Sequence, residues 1–597
     1  MSSFADTRKI VIACQGGGSH AAYAAGALKR WLPLIEKSRG DLHPMKLVGI
    51  SGTSGGGLCA LLAWYGLLQG GADQACRKLE AFWHANCAQT PGETLWNAAT
   101  IAATSALPFD LSFSPYVPPL RDGVDLLTST WPQLADTLGP FNTWGRGDYF
   151  QLDRLIAQQV DFDLVAALGA LLGVSRDIAR WREADIQSRM KPPLAPADNE
   201  KLKRQLAERI HRTVEEQPAA LRRLMGPAGF REGCPLDVAL SRWSGQVAAD
   251  PTSFDILDAA GMDLMAQIPH LLMGAVDIED GEFVAFSSER AATDGGISLQ
   301  AVLASAALPW MFKAVEVPFI GPDGARSKRS FWDGLFSQNP PIKNFLAGVE
   351  AERMPAELWV LQINPRDFDV DQLKFDIGDR RNELSGNLSL NQEISFIEAV
   401  NKRITRGDDH KHQPVQVHRV ILDRCAIEKS APVKLNALSK SDRSPILKDA
   451  LMAHGEMQAQ RFFRMRDALR LASGPLDGQS RADSADAFAV LRNVKDQSGD
   501  SELHLNFDQT ILPTSAIADN STLRATARWH ARGILDDGAG VQLEGAIDFL
   551  IDDRSDPIDV LEMRITEVKM EKGGPARASL PARPPRGVRP PPKGRRM

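Results

Sequence analysis

The feature that most constrains this chain is one stretch, Lys9 to Leu68, in which apolar runs and glycine-rich turns alternate. Lys9-Ile-Val-Ile-Ala13 is a short β-branched run that suits a buried strand. It leads into Gly16-Gly17-Gly18 and then a small-residue helix, Ser19 to Leu28. Met45 to Ser51 reads as a second strand. Gly52-Thr53-Ser54-Gly55-Gly56 follows at once, and Leu58 to Leu68 continue as an apolar helix. Two strands joined by a helix are expected to be parallel neighbours in one right-handed unit. Their carboxyl ends then lie side by side, so the three glycines and Ser54 are expected at one edge of a sheet.

That meeting has a chemical use. Gly-x-Ser-x-Gly between strand and helix is a nucleophile elbow, a tight turn that lifts the serine oxygen clear of the backbone. Glycines at a helix N-terminus leave N–H groups able to point at an anion. Together they offer a nucleophile and an oxyanion site, where one donor typically lowers the barrier by roughly 3 kcal/mol.

The 597 residues are 43% hydrophobic and 24% charged, with a net charge of -6. This is enough chain for more than one domain, and the charge gives no reason to expect nucleic acid. The cysteines, Cys14, Cys59, Cys76, Cys87, Cys234 and Cys425, form no metal-ligand pattern. Reduced, buried thiols suit a cytoplasmic protein. The N-terminal residues lack the apolar core of a signal peptide, and Leu164 to Val174 is too short to span a bilayer. No transmembrane helix, metal or cofactor is expected, and the oligomeric state is not readable.

Beyond the first unit, a helix is expected from Asp73 to Cys87. Thr90 to Arg146 follows as a long irregular region rich in Pro, Trp and Phe. It reads as a covering loop or, equally, as a lid or acyl-chain wall over Ser54. Helices are expected over Leu152 to Leu172, Arg176 to Arg189 and Asn199 to Arg223. The last is basic and amphipathic: either a solvated face or an interfacial one. Strands resume at Leu271 to Val276 and Glu282 to Phe286, joined by a turn at Asp280-Gly281. A small-residue helix spans Ser298 to Ala307. Strands follow at Ala314 to Phe319 and Arg329 to Trp332, with a turn at Gly321 to Gly324 between them. The second of these strands delivers Asp333-Gly334. Strands at Leu358 to Ile363 and Val415 to Leu422, with helices at Gly378 to Ile404 and Ser444 to Leu471, complete an α/β layer structure.

Three separated segments of the chain then agree with one family: it resembles the patatin-like phospholipases. Gly16-Gly17-Gly18 is similar to that family's oxyanion loop. Gly52-Thr53-Ser54-Gly55-Gly56 is similar to its nucleophile elbow, and Asp333-Gly334 to the element that carries its second catalytic residue. Ala306-Ala307-Leu308-Pro309 before the aspartate, and Leu335-Phe336-Ser337-Gln338-Asn339-Pro340-Pro341 after Gly334, fit as well. The match covers roughly Lys9 to Ala88 and His270 to Phe345, with the sheet continuing to about Ala472. Two positions depart from it. His20 and Ala21 stand where the family usually has Arg or Lys and then Gly, and Leu335 stands where it has a small residue.

The resemblance implies a mostly parallel sheet flanked by helices, carrying a Ser54–Asp333 dyad. It implies a lipid or acyl-ester substrate, an acyl-enzyme intermediate and no cofactor; peripheral membrane contact stays open. The expected domains are a hydrolase domain over 1–472, with a helical or lid insertion at about 90–268, and a linker over 473–500. A small β-rich module over 501–572 and a basic, Pro-rich disordered tail over 573–597 follow. Two rival readings stand beside this one. A Ser-His-Asp hydrolase would draw its histidine from His410, His412, His418 or His454, although that fold places its glycine-rich oxyanion loop farther from the elbow. A non-catalytic protein binding a lipid surface or a polyester granule would leave Ser54 and Asp333 idle.

Overall fold

The computed structural model describes residues 7–38, 44–106, 145–149, 151–190, 196–225, 232–309, 312–320, 326–346, 349, 353–364, 377–406, 414–436, 438–472, 509–510, 522–534, 539–552 and 559–575. Cα proximity divides the chain into a first unit, Met1–Arg466 with Gln509–Ala516, and a second, Asp467–Asp508 with Ile517–Met597.

The first unit is built on a mostly parallel sheet flanked by helices. Its central strand β1 (Arg8–Cys14) pairs in parallel with β2 (Met45–Thr53), and β2 in parallel with β3 (His270–Asp277). β3 forms a hairpin with β4 (Phe283–Ser287). β5 (Val315–Ile320) and β6 (Arg326–Asp333) are antiparallel to each other, and β6 is antiparallel to β3. On the other side of β1 lies β7 (Glu357–Gln362), then β8 (Gln416–Ile421) and the short β9 (Gln509–Thr510), all parallel. The order is therefore β9-β8-β7-β1-β2-β3-β6-β5. The chain moves from β1 towards β3 and later returns to the opposite flank of β1. Parallel sheets bind ligands at such reversals, outside the carboxyl ends of the strands.

Side chains of the central strands alternate between two buried faces. Val11, Ala13, Leu358 and Val360 pack with Leu390, Ile394 and Ile397 of the helix Ile377–Arg406. Trp359 packs edge-on with Trp31 and Phe462, with ring centroids 5.0 Å apart in each pair. This joins the sheet to α1 (Ala22–Lys37) and to the helix Pro445–Ala472. Both faces of β1 are covered, which is why its sequence is almost continuously apolar.

The segment α2 (Ser54–Asn86) holds the two expected helices, separated by a break where Gly70 and Gly71 leave the helical backbone. The long region after Thr90 does not begin irregularly: it opens with the helix Pro91–Ala106. Glu93 N–H donates to Thr90 Oγ1 (3.2 Å), while Glu93 Oε2 accepts the Thr90 N–H (3.3 Å). This reciprocal cap, with proline at the first helical position, is a helix-start signal that outweighs the region's composition. Residues 107–144, the remainder of the expected lid, lie outside the described residues. The expected single helix from Leu152 is two, Leu152–Ala157 and Phe162–Leu172. Further helices follow at Val174–Arg189, Pro196–Leu224, Pro235–Val247 and Phe254–Gln267. The last two were not anticipated from the sequence.

In the second unit, β10 (Thr522–Ile534), β11 (Ala539–Asp552) and β12 (Asp559–Pro575) form an antiparallel meander. β12 runs to Pro575, past the point where the tail was expected to begin. Gln509–Thr510, expected in this module, pairs with His418–Arg419 and belongs to the first unit. The expected linker and the rest of the tail lie outside the described residues. Among the described residues, no helix is long and apolar enough to cross a membrane.

Candidate active site

β2 ends at Thr53 and α2 begins at Ser54, with no residue between them. Ser54 has φ +54° and is the non-glycine residue with positive φ among the described residues. Such a backbone costs an L-residue roughly 1–2 kcal/mol. Close backbone contact holds the turn in place. A Cβ on Gly16 would lie 2.3 Å from the Thr53 carbonyl oxygen. One on Gly56 would lie 2.4 and 2.5 Å from the carbonyl oxygens of Cys14 and Gln15. The loop after β1 and the turn after β2 thus meet at one sheet edge. Gly52 and Gly55 are equally enclosed, against Gly56 and Gly18, and Gly334 lies against Gly274.

The Ser54 N–H donates to Ser305 Oγ (3.2 Å), and Ser305 is buried at the end of the helix Leu299–Ser305. Ser305 was not picked out from the sequence. Its only signal was membership of the small-residue run before the aspartate.

Asp333 is the last residue of β6 and is only 1% exposed. Its N–H donates to the Ala307 carbonyl (2.9 Å), and its Oδ1 accepts the Leu335 N–H (2.9 Å). Burial raises its pKa from the ordinary aspartate value to about 7, against the opposing pull of the Ser54 side chain and the Leu335 N–H. The Ser54 side chain therefore lies near enough to Asp333 to oppose the effect of burial. Asp333 Oδ2 is buried and has no hydrogen-bond partner.

The segment after Asp333 ties both loops together. Asn339 Oδ1 accepts the Gly16 N–H (2.6 Å), and Asn339 Nδ2 donates to the Gly16 carbonyl (3.4 Å). Thr53 Oγ1 donates to the Gln338 carbonyl (2.9 Å), and the Asn339 N–H donates to Ser389 Oγ (3.0 Å). One of the three expected glycine donors is therefore already engaged. Gly17 is half-buried and Gly18 is exposed with φ +57°.

The histidines lie elsewhere. His20 is buried against Ser439 Oγ (2.7 Å), and burial, with Lys440 and Arg424, pushes its pKa well below the usual imidazole value. His418 packs on Phe462, and His454 accepts the Asp423 N–H. His410 and His412 lie outside the described residues. Among the described residues no histidine is hydrogen-bonded to Ser54, and no group of acidic, Cys and His side chains could hold a metal ion.

A mostly parallel α/β sheet thus brings a positive-φ serine turn, a glycine loop and a buried aspartate to one edge. The family model for patatin-like phospholipase matches residues 12–346, and the chain belongs to that family. Among solved structures it is similar to VipD from Legionella pneumophila, at 12% identity over 77% of this chain and 67% of that one. The TM-score is 0.28, too low to carry any argument about the site. No curated protein matches the chain.

Proposed function

We propose that the protein hydrolyses acyl esters of phospholipids or lysophospholipids through a Ser54–Asp333 dyad. Family membership supports lipid acyl hydrolysis, and the convergence of Ser54 with a buried Asp333 from a distant strand carries the finer reading. Ser54 Oγ attacks the ester carbonyl while its proton passes to Asp333, which supplies a base matched to neutral pH. The tetrahedral oxyanion is held by the N–H groups of Gly17 and Gly18, since Asn339 occupies that of Gly16. Asp333 returns the proton to the leaving alcohol, and an acyl-enzyme remains on Ser54. Asp333 then takes a proton from water, which attacks the acyl carbon; the Ser54 Oγ–acyl bond breaks, Asp333 returns the proton to Ser54, and the fatty acid leaves. The helices between Pro91 and Gln267 form an insertion that borders the acyl chain, and the C-terminal strands are a separate module. Peripheral contact with a lipid surface would bring the substrate to the site.

The test is fatty-acid release from defined glycerophospholipids and lysophospholipids, read by mass spectrometry. Ser54→Ala and Asp333→Asn are expected to fall to background while wild type turns over. Equal turnover by wild type and Ser54→Ala would remove the proposed nucleophile.

A further inference from the structure

In the family pattern the residue after the triple glycine and one variable position is Arg or Lys, and in this chain it is His20. That imidazole is buried against Ser439, and its surroundings disfavour the charged form. The loop itself therefore carries no cation. One is brought to it from a distant part of the chain.

The 3-10 turn Leu438–Ser441 packs directly on the glycine loop. A Cβ on Gly18 would lie 2.2 Å from the Lys440 carbonyl oxygen and 3.3 Å from Lys440 Cβ. One on Gly17 would lie 3.8 Å from Lys440 Cε, the carbon that bears the ammonium. Lys440 Nζ donates to Asn364 Oδ1 (3.1 Å), and Asn364 is buried just beyond the end of β7. This is the point in the sheet where successive connections leave in opposite directions, the usual place for a ligand. A narrow cavity opens there, lined by His20, Asn364, Glu383, Arg424 and Lys440 among others. Its acid, Glu383, is paired with Arg380 and Arg424, each at 3.2 Å.

We propose that Lys440 supplies the positive charge of the glycine loop, favouring the oxyanion that forms when Ser54 attacks. It acts as an electrostatic and positioning residue, through its field and its grip on Gly17–Gly18, and this rests on the reading of Ser54 as nucleophile. A cation held beside developing negative charge stabilises the transition state more than the bound ester. Loss of the charge should therefore appear in kcat rather than in KM.

The experiment uses the full-length protein and a fluorophosphonate probe, with the modified peptide located by mass spectrometry. In labelling, Ser54 Oγ bonds to phosphorus, fluoride leaves and the hydroxyl proton passes to Asp333. Wild type should label at Ser54, and Lys440→Gln should label about 10- to 100-fold more slowly. With a short acyl ester, kcat should fall by a similar factor and KM should stay within about threefold. Lys440→Arg should restore most of the rate, and thermal melting of both variants should match wild type. A wild-type labelling rate in Lys440→Gln would overturn the proposal while leaving Ser54 in place. Equal slowing in Lys440→Gln and Lys440→Arg with lowered melting would show that Lys440 only packs. Absence of label from Ser54 in wild type would remove the nucleophile, and the role of Lys440 with it.

Discussion

Ser54 and Asp333 reach the same sheet edge by different means. The serine turn is made of backbone: its geometry follows from glycines within a few residues and from carbonyls they alone can approach. The aspartate turn is made of side chains. Thr53 and Ser389 hold the segment that follows it, and that segment in turn holds Gly16 through Asn339, joining well-separated parts of the chain. A turn built from glycine contacts fails abruptly when a methyl group is added. A turn built from hydrogen bonds weakens by degrees. The largest effect should therefore come from Gly56→Ala, whose new Cβ would meet two carbonyl oxygens within 2.5 Å. Neither is a flexible side chain. A loss of about 4 kcal/mol or more is expected, or failure to fold, read by urea unfolding or soluble yield. Wild-type stability in this variant would mean that the two loops do not touch as described.

The difference between these regions also explains what could be read in advance. The glycine loop and the elbow turn were legible as placements between strand and helix because glycines recur there at short spacing, and Asp333 was singled out by the family resemblance alone. The sheet was legible too, since both faces of β1 and β7 are buried and their sequences are accordingly apolar. Asn339 and Ser305 were not legible. Asn339 acts through hydrogen bonds to Gly16 and Ser389, and Ser305 through one to Ser54, all far away in sequence, and no local pattern announces that. The engagement of Gly16 by Asn339 likewise follows only from the folded geometry. The helix Pro91–Ala106 is another kind of miss: its Thr90–Glu93 cap was present in the sequence, but was read as part of a Pro- and aromatic-rich loop.

The aspartate side of the comparison can be sharpened by pH. Burial raises the Asp333 pKa to about 7, so the carboxylate is the minority form below that value. If Asp333 is the base, kcat/KM should fall about tenfold per pH unit on the acid side of neutrality. The stability effect has the opposite sense. A carboxyl whose pKa is raised in the folded state binds its proton more tightly there than in the unfolded chain. Its contribution therefore declines as pH rises from the ordinary aspartate range, about 3.9, to about 7. Asp333→Asn should be inactive, yet gain stability relative to wild type between pH 4 and pH 8. A flat stability difference across that range would mean that Asp333 titrates normally.

Asn339→Ala tests the polar clamp. It leaves the buried Gly16 N–H without an acceptor, which costs roughly 1–3 kcal/mol. Because Gly16 precedes the proposed donors Gly17 and Gly18, kcat should fall along with the melting temperature. A variant that melts earlier but keeps wild-type kcat would confine Asn339 to stability.

The smallest expected effect isolates the strain on the serine side. Ser54 holds a left-handed backbone that glycine adopts without penalty. Ser54→Gly and Ser54→Ala both remove the hydroxyl, and with it the contact to Asp333, so both should be inactive. Only Ser54→Ala keeps a Cβ in the strained conformation. The glycine variant should therefore be the more stable of the two by about 1 kcal/mol, measured by chemical denaturation of the pair side by side. Part of the gain is offset because glycine has more backbone freedom to lose on folding. Equal stability would mean that this offset is complete or that the turn relaxes around alanine. A clear advantage for glycine would show that the elbow keeps its serine at a cost to the fold, as expected where a backbone is shaped for chemistry rather than for packing.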